Sequence, residues 1–115
     1  MMIDADVRAV AHDFGLDPAL LQAVVTAEGN ILKAVQCSIP TVQTRSEALR
    51  ILARSAAHAM TDYIKSSDQY RAEFVAFWGD RWAPVGAAND PKGLNANWIQ
   101  NVRKLWAAGA EGMRA

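Results

Sequence analysis

The chain has 115 residues, of which 51% are hydrophobic and 21% are charged. This size and composition predict one globular domain, spanning residues 1–115, with enough apolar side chains to form a core. The 12 basic and 12 acidic side chains give a formal net charge of zero. We therefore expect no nucleic-acid partner and no attraction to an anionic membrane.

The cysteine content and the first residues bear on disulfides, metal binding and localisation. Cys37 is the single cysteine, which excludes an internal disulfide. Because no cluster of histidines and cysteines accompanies it, we expect Cys37 to be a small buried apolar residue, and we expect no metal and no cofactor. The chain opens without the basic and apolar segments of a secretory signal, and no apolar run nears the ~20 residues of a membrane span. We expect synthesis in the cytoplasm and no membrane insertion.

Helix caps and stops recur along the chain, whereas alternating strand patterns are nearly absent. We therefore predict an all-α fold of about six helices. Asp4 and the Asp17-Pro18 pair suit helix N-termini, and Thr44 to Glu47 has the pattern of a capping box. Caps and stops bound the predicted helices at residues 4–15, 17–28, 31–36, 44–65, 68–82 and 97–108.

Apolar stripes and turn residues place the predicted core and one long loop. The longest helix has the apolar stripe Leu49, Leu52, Ala53, Ala56, Met60 and Ile64. Residues 83–97 form a long stretch of turn chemistry, and such loops are usually either disordered or functional. Because Trp82 and Trp98 bracket the stretch, we expect an ordered loop. We expect a frayed tail over residues 109–115.

Glu28 is an unusual charge on the second predicted helix. At about 100° per residue, it shares one apolar stripe with Val24 and Val25. Gln22 and Ala23 fall on the other side. Partial burial of a carboxyl disfavours its ionised form, and enzymes create general acids in this way. The same position also suits a glutamate that reaches solvent or pairs with an arginine, and the pattern leaves both interpretations open.

A pair of titratable residues lies on the longest predicted helix. His58 and Asp62 are four residues apart and therefore face each other. They suit an acid–base pair, or a hydrogen bond in which Asp62 holds the imidazole. Asp62 and Tyr63 also suit the lining of a groove beside Glu28.

Tryptophan and asparagine side chains indicate a surface that suits sugars. The four tryptophans have helical spacings typical of a core. Trp82 differs because it stands at the mouth of the long loop, where an aromatic face suits stacking on a sugar ring or on another flat apolar face. Amide and carboxyl groups in and after that loop suit hydrogen bonds to hydroxyl and acetamido groups, with turn capping as the alternative. These residues are Asn89, Asp90, Asn95, Asn97 and Asn101.

Residues 16–30 read Leu-Asp-Pro-Ala-Leu-Leu-Gln-Ala-Val-Val-Thr-Ala-Glu-Gly-Asn. This segment resembles the first catalytic motif of the lysozyme-like superfamily, most closely that of the soluble lytic transglycosylases. There a helix that reads proline-x-leucine-leucine-x-alanine ends in the catalytic glutamate, which Glu28 matches. Residues 77–84, with Asn89-Asp90-Pro91 and Asn97-Trp98, are similar to a pattern in small phage-encoded murein hydrolases.

The resemblance implies a single compact lysozyme-like helical domain that cleaves the β-1,4 bond between N-acetylmuramic acid and N-acetylglucosamine in peptidoglycan. In that reaction Glu28 protonates the glycosidic oxygen. The resemblance also implies peptidoglycan glycan strands and a phage virion or lysis system as partners, with action at the bacterial cell wall after lysis or from the virion. The residues we predict to bind the substrate are Asn30, Asp62, Tyr63, Trp82, Asn89, Asp90 and Asn97.

The number of carboxylates separates the reactions open to such an enzyme. Retaining glycosidases need a second carboxylate about 5–5.5 Å away and inverting ones need it about 6.5–9.5 Å away. Asp62 and Asp90 are the candidates, and neither carries a family signature. Lytic transglycosylases use one acid, because the substrate's own 6-hydroxyl or acetamido group completes the reaction, and this chemistry is favoured. The glutamine-containing and asparagine-tyrosine motifs of better-known transglycosylases are not evident between Pro40 and Lys65. A non-catalytic virion component, or a helical module that binds the wall or a partner, is therefore the alternative.

Overall fold

The computed structural model describes residues 2–65, 73–83 and 96–114, and these residues contain six α-helices. The helices are α1 (Ala5–Asp13), α2 (Pro18–Glu28), α3 (Ile31–Gln36), α4 (Arg45–Lys65), α5 (Phe74–Trp82) and α6 (Ala96–Arg114). These described residues contain no strand. The expected all-α fold of about six helices is confirmed.

Side-chain caps fix where α2 and α4 begin. The Asp17 carboxylate accepts a hydrogen bond from the Ala19 amide at 2.9 Å, ahead of the proline that opens α2. The Thr44 hydroxyl accepts one from the Glu47 amide at 3.1 Å, as the capping box predicts. Asp4 stands at the N-cap of α1 but makes no side-chain cap bond, because its carboxylate pairs with an arginine of α4 instead.

The core is built around α2. This helix packs against α1 and α3, and most extensively against α6, while α4 packs against α1, α3 and α5. Every residue from 19 to 25 is buried, including Gln22 and Ala23. Because helices cover α2 on several sides, these seven residues have no solvent-facing side. The position of Glu28 therefore depends on the end of the helix rather than on one apolar stripe.

The last turn of α4 differs from the predicted stripe. Ile64 was expected to face inward but is 75% exposed. Tyr63 turns inward instead, and its ring meets that of Phe74 edge-on with 5.6 Å between the centroids. Ile64 lies about 100° further round the helix and therefore faces out.

The far end of α6 also differs from the prediction. The helix continues to Arg114, whereas we expected a frayed tail from residue 109. The extension contains Gly109 and Gly112, which disfavour a helix, so helix propensity alone does not account for it. The start of α6 is one residue earlier than predicted. Helix α5 begins at Phe74, behind an N-cap at Glu73 with extended backbone, so the predicted start of this helix at residue 68 was wrong. Residue 68 itself and the predicted loop over residues 84–95 lie outside the described residues.

Candidate active site

Glu28 is the last residue of α2, and the chain turns sharply behind it. Gly29 has φ +74° and ψ −53°, and the Asn30 amide donates to the Glu28 carbonyl at 2.9 Å. These values describe a γ-turn, a rare conformation that glycine adopts readily because it has no Cβ. The Asn30 side chain then caps α3 by accepting a hydrogen bond from the Lys33 amide at 3.1 Å. The turn leaves the Glu28 side chain half-buried at the end of its helix.

Two indole N–H groups converge on one oxygen of the Glu28 carboxyl. Trp98 Nε1 donates to Oε1 at 2.9 Å, and Trp82 Nε1 donates to the same oxygen at 3.4 Å. Trp98 is buried in the first turn of α6, whereas Trp82 is half-buried at the last residue of α5. The carboxyl is therefore held by α5 and α6 as well as by its own helix.

Trp78 is fully buried and contacts both of these indoles. Its ring centroid lies 6.3 Å from that of Trp82 and 5.6 Å from that of Trp98, which it meets edge-on. Its own Nε1 donates to the Ser55 hydroxyl of α4 at 3.0 Å. Aromatic pairs at such separations contribute about 0.5–1.5 kcal/mol each beyond the burial of their area. Trp78 therefore stabilises the positions of both donors to Glu28.

A cavity of about 350 Å³ opens beside Glu28 and Trp82. This volume lies within the usual range for small-molecule sites. The polar side chains that line it are Glu28, Cys37, Ser38 and Arg81. The apolar residues that line it are Ala34, Val35, Ile39, Ile51, Trp82 and Ala83. The cavity thus combines a carboxyl, a guanidinium and a hydroxyl with an aliphatic and aromatic wall.

Cys37 lies at this cavity and not in the core, so the expectation of a buried cysteine was wrong. Its side chain is exposed and lines the cavity. Cys37 is the C-cap residue of α3, and Ile31 and Val35 take the buried positions of that short helix. Because Cys37 is about 200° round the helix from Val35, it faces away from the core.

Arg81 brings a positive charge to the cavity. Its Nη1 donates to Asp62 Oδ2 at 2.6 Å, and its guanidinium lies over the Phe77 ring, 4.6 Å from the centroid. The Arg81 hydrogen bond is the main cause that holds the pKa of Asp62 below its usual value. Burial opposes this change, and the charges of Arg81, Lys65 and His58 add to it. Asp62 accepts its hydrogen bond from Arg81 of α5, and the predicted partner His58 acts on it through its charge.

The predicted groove residues of α4 do not reach the cavity. Tyr63 packs on the aromatic rings of α5, with 5.4 Å between its centroid and that of Phe77. Neither Asp62 nor Tyr63 is among the described residues that line the cavity. Asp62 is nevertheless linked to the cavity, because it accepts a hydrogen bond from Arg81, which lines it.

The remaining predicted substrate-binding residues fall into two groups. Asn30 and Asn97 are exposed, Asn30 at the cap of α3 and Asn97 in the first turn of α6 beside Trp98. Neither lines the cavity among the described residues. Asn89 and Asp90 lie outside the described residues.

Sequence reasoning missed the roles of Trp98 and Arg81. Trp98 was expected in the core and is buried there, but its N–H also reaches a carboxyl 70 residues away along the chain. No local pattern encodes that contact. Arg81 did offer a signal, because it directly precedes Trp82 at the mouth of the predicted loop.

Comparisons of this chain with protein-family models, curated proteins and solved structures found no match. The likeness of residues 16–30 to a lysozyme-like motif therefore remains a prediction. Within residues 2–65, 73–83 and 96–114, no group of histidine, cysteine, aspartate and glutamate side chains is placed to hold a metal ion. No helix in those ranges is long and apolar enough to cross a membrane.

Proposed function

We propose that this chain cleaves peptidoglycan, as a glycosidase or a lytic transglycosylase, at the β-1,4 bond between N-acetylmuramic acid and N-acetylglucosamine. Glu28 is the general acid. The observation that carries the proposal is the half-buried Glu28 carboxyl at the cavity, with Oε1 bound by the indoles of Trp82 and Trp98. Because this substrate lies outside the cytoplasmic membrane, the protein meets it at lysis or as part of a virion.

A general acid must be fixed beside the bond that it protonates. The hydrogen bonds from α5 and α6 restrict the Glu28 carboxyl, and the cavity gives a substrate access to it. Proton transfer to the glycosidic oxygen allows the bond to C1 of the muramic acid to break. General acid catalysis contributes about 10²–10⁴-fold, so the remaining acceleration must come from the way the site orients the sugar chain.

The cavity lining is suited to an amino sugar. An N-acetylated sugar carries hydroxyl groups together with an apolar acetamido methyl group. Ser38 and Arg81 offer hydrogen bonds, whereas Val35 and Ile51 offer apolar contacts. Trp82 adds an aromatic ring at the same cavity, and such rings stack on flat apolar faces.

The described carboxyl groups favour a reaction with one acid. Among the described residues that line the cavity, Glu28 is the sole carboxyl. Asp62 is bound to Arg81, and Asp90 lies outside the described residues. We therefore favour attack on C1 by the substrate's own 6-hydroxyl, which leaves an anhydro sugar, over attack by a water molecule that a second carboxylate activates.

Mass spectrometry of purified peptidoglycan after incubation with the protein tests both parts of the proposal. A product end that has gained water shows hydrolysis, and an anhydro end shows transglycosylation. Glu28→Gln keeps the shape of the side chain and removes the acid, so we expect fragment release to fall at least about 100-fold. Glu47→Gln is the matched control, because Glu47 is exposed and glutamine also completes a capping box.

Two results would contradict the proposal in different ways. Fragment release by Glu28→Gln at the wild-type rate would remove Glu28 from the mechanism. Retention on peptidoglycan with no fragment released by the wild-type protein would exclude cleavage. That second result would support the alternative, a non-catalytic virion component or wall-binding helical module.

A further inference from the structure

The two oxygens of the Glu28 carboxyl have different surroundings. Oε1 accepts hydrogen bonds from Trp98 at 2.9 Å and from Trp82 at 3.4 Å. Among residues 2–65, 73–83 and 96–108, no side chain or amide donates to Oε2. Since buried indole N–H groups usually find a partner of their own, the convergence of two of them on one oxygen calls for an explanation.

We infer that Trp98 and Trp82 are positioning residues for the acid, which keep the proton of Glu28 on Oε2 and so make Oε2 the oxygen that delivers it. This inference rests on the proposed function of Glu28. It deepens that proposal, because it assigns the two tryptophans a part in the reaction that packing alone would not give them.

The chemistry of the donors explains the assignment. An indole N–H can donate a hydrogen bond but cannot accept one. When Glu28 is protonated, the carbonyl-type oxygen is the better acceptor of its two oxygens. Two N–H groups at Oε1 therefore favour the form in which Oε1 is the carbonyl oxygen and Oε2 carries the hydrogen.

The same donors act during proton transfer. The proton passes from Oε2 to the glycosidic oxygen, the C1–O bond breaks, and its electron pair stays with the departing oxygen. Glu28 becomes a carboxylate, and it recovers a proton from the hydroxyl or water that bonds to C1. Hydrogen bonds to a carboxylate are roughly twice as strong as those between neutral groups. The indoles therefore bind the product state of Glu28 more strongly than its initial state, and they do so without reorganising.

The two tryptophans are not equivalent. The 2.9 Å distance from Trp98 is normal for an N–H···O bond, whereas the 3.4 Å distance from Trp82 is longer than the usual range of about 2.7–3.2 Å. Trp98 is buried, and Trp82 also lines the cavity. We therefore expect Trp98 to act mainly on the chemical step, and Trp82 to act weakly on that step and also on substrate binding.

The first experiment uses NMR and does not need turnover. In 15N-labelled protein, the indole N–H signals of Trp98 and Trp82 should shift with a common midpoint as the pH is lowered, with the larger shift for Trp98. Glu28→Gln should abolish both shifts. A Trp98 signal that does not move in the wild-type protein, or that moves equally in Glu28→Gln, overturns the inference.

The other two indoles are internal controls for this experiment. Trp78 donates to the uncharged hydroxyl of Ser55, so its signal should not follow the titration of Glu28. Trp106 donates to Asp17 Oδ2 at 2.9 Å, so its signal should titrate in the wild-type protein and also in Glu28→Gln. If the Trp106 signal no longer shifts with pH in Glu28→Gln, the fold of that variant has changed. The loss of the Trp98 shift in the same variant would then no longer support the inference.

The second experiment separates positioning from packing by steady-state kinetics. Trp98→Phe keeps an aromatic ring and removes the donor, and we expect kcat to fall about 10- to 100-fold with little change in KM. Trp82→Phe should lower kcat less and raise KM. Trp106→Phe is the matched control, because it also removes an indole donor, which binds Asp17 and not Glu28, at a residue that does not line the Glu28 cavity. It should lower the stability without a comparable loss of kcat in the folded protein.

The kinetic outcomes decide the role of the donors. If Trp98→Phe loses activity only in proportion to its unfolded fraction, the indole is structural and the inference is wrong. Trp82→Phe supplies an independent test, because Trp82 is half-buried. If this variant changes neither kcat nor KM, the inference is also contradicted. A wild-type protein that releases no fragment disproves the proposed function, and the NMR titration then still tests whether the two indoles bind the Glu28 carboxyl.

Discussion

Gly79 of α5 lies directly against the indole of Trp98 on α6. A Cβ placed on Gly79 would be 3.2 Å from Cζ3 of Trp98 and 3.0 Å from Cγ1 of Ile99. Both distances are too short for comfortable packing, so the absence of a side chain allows the two helices to approach this closely. The approach matters for the site, because it sets the position of the indole that donates to Glu28.

We expect Gly79→Ala to disturb this contact. Alanine favours a helix by about 1 kcal/mol, but an extra methyl group in a packed site costs about 1–3 kcal/mol. The expected net loss of unfolding free energy is about 1 kcal/mol, and fragment release should fall by more than that loss explains. Urea denaturation and peptidoglycan cleavage measure the two effects. Asp80→Ala, at an exposed neighbour on the same helix, should change neither quantity. Full activity in Gly79→Ala would show that the position of Trp98 is not critical.

Gly29 and Gly15 form a matched pair for backbone strain. Their φ angles are +74° and +66°, and a Cβ at either would meet no atom within 4 Å. An L-residue in such a backbone region costs about 1–3 kcal/mol. Alanine at either position should therefore lower thermal stability, and by more at Gly29, whose ψ of −53° lies outside the left-handed helical region. Only Gly29→Ala should also reduce cleavage, since Gly29 turns the chain behind Glu28. Equal activities of the two variants would mean that the γ-turn does not place the acid.

Cys37 gives chemical access to the cavity. It is the single cysteine, it is exposed, and it lines the cavity together with Glu28. We expect a bulky maleimide on Cys37 to reduce cleavage to a small residual rate, because it fills space that the substrate needs. Mass spectrometry of the intact protein measures the labelling. Cys37→Ser should remain active and should resist the reagent. Fully labelled protein with the unlabelled rate would place the substrate elsewhere.

The Asp62–Arg81 ion pair predicts part of the pH dependence of stability. The hydrogen bond from Arg81 holds the pKa of Asp62 below its usual 3.8. A carboxyl with a lowered folded-state pKa stabilises the folded protein fully above the unfolded-state value, and that stabilisation is lost as the pH falls through the folded-state value. Asp62→Asn should therefore be less stable than wild type at neutral pH and equally stable in strong acid. Urea denaturation at both conditions tests this. A deficit of the same size in acid would show that the pair is not its cause.

Local signals in the sequence predicted the number and order of the helices, although not every helix end. Asp17 and Thr44 cap α2 and α4 through the side-chain bonds that their patterns predict, and α3 has the predicted bounds. Local signals did not show which helix faces would be covered by neighbours. Gln22 is buried and Ile64 is exposed for that reason, since each depends on helices that are distant in sequence.

The candidate site was predictable in part. Glu28 and Trp82 could be identified because one ends an apolar helix and the other stands where helix signals stop. Their contact could not be identified. An indole that fills a core and one that also binds an acid have the same spacing. The Asn97-Trp98 pair belongs to the resemblance, but it did not indicate that the Trp98 N–H binds Glu28. Asp62 was assigned a partner on its own helix by the rule for residues four apart, whereas its partner Arg81 belongs to another helix.

The donors to Glu28 are 54 and 70 residues away from it along the chain. Helix α2 has its own caps, but its terminal carboxyl meets its indole partners only after α5 and α6 have docked. Contacts of such long sequence separation are slow to form, because their loop-closure entropy must be overcome first. We therefore expect the proposed acid to reach its final orientation late in folding. A partly folded chain contains the glutamate, and so does a chain from which α6 has detached. In both, the Glu28 carboxyl lacks the hydrogen bond from Trp98 that orients it.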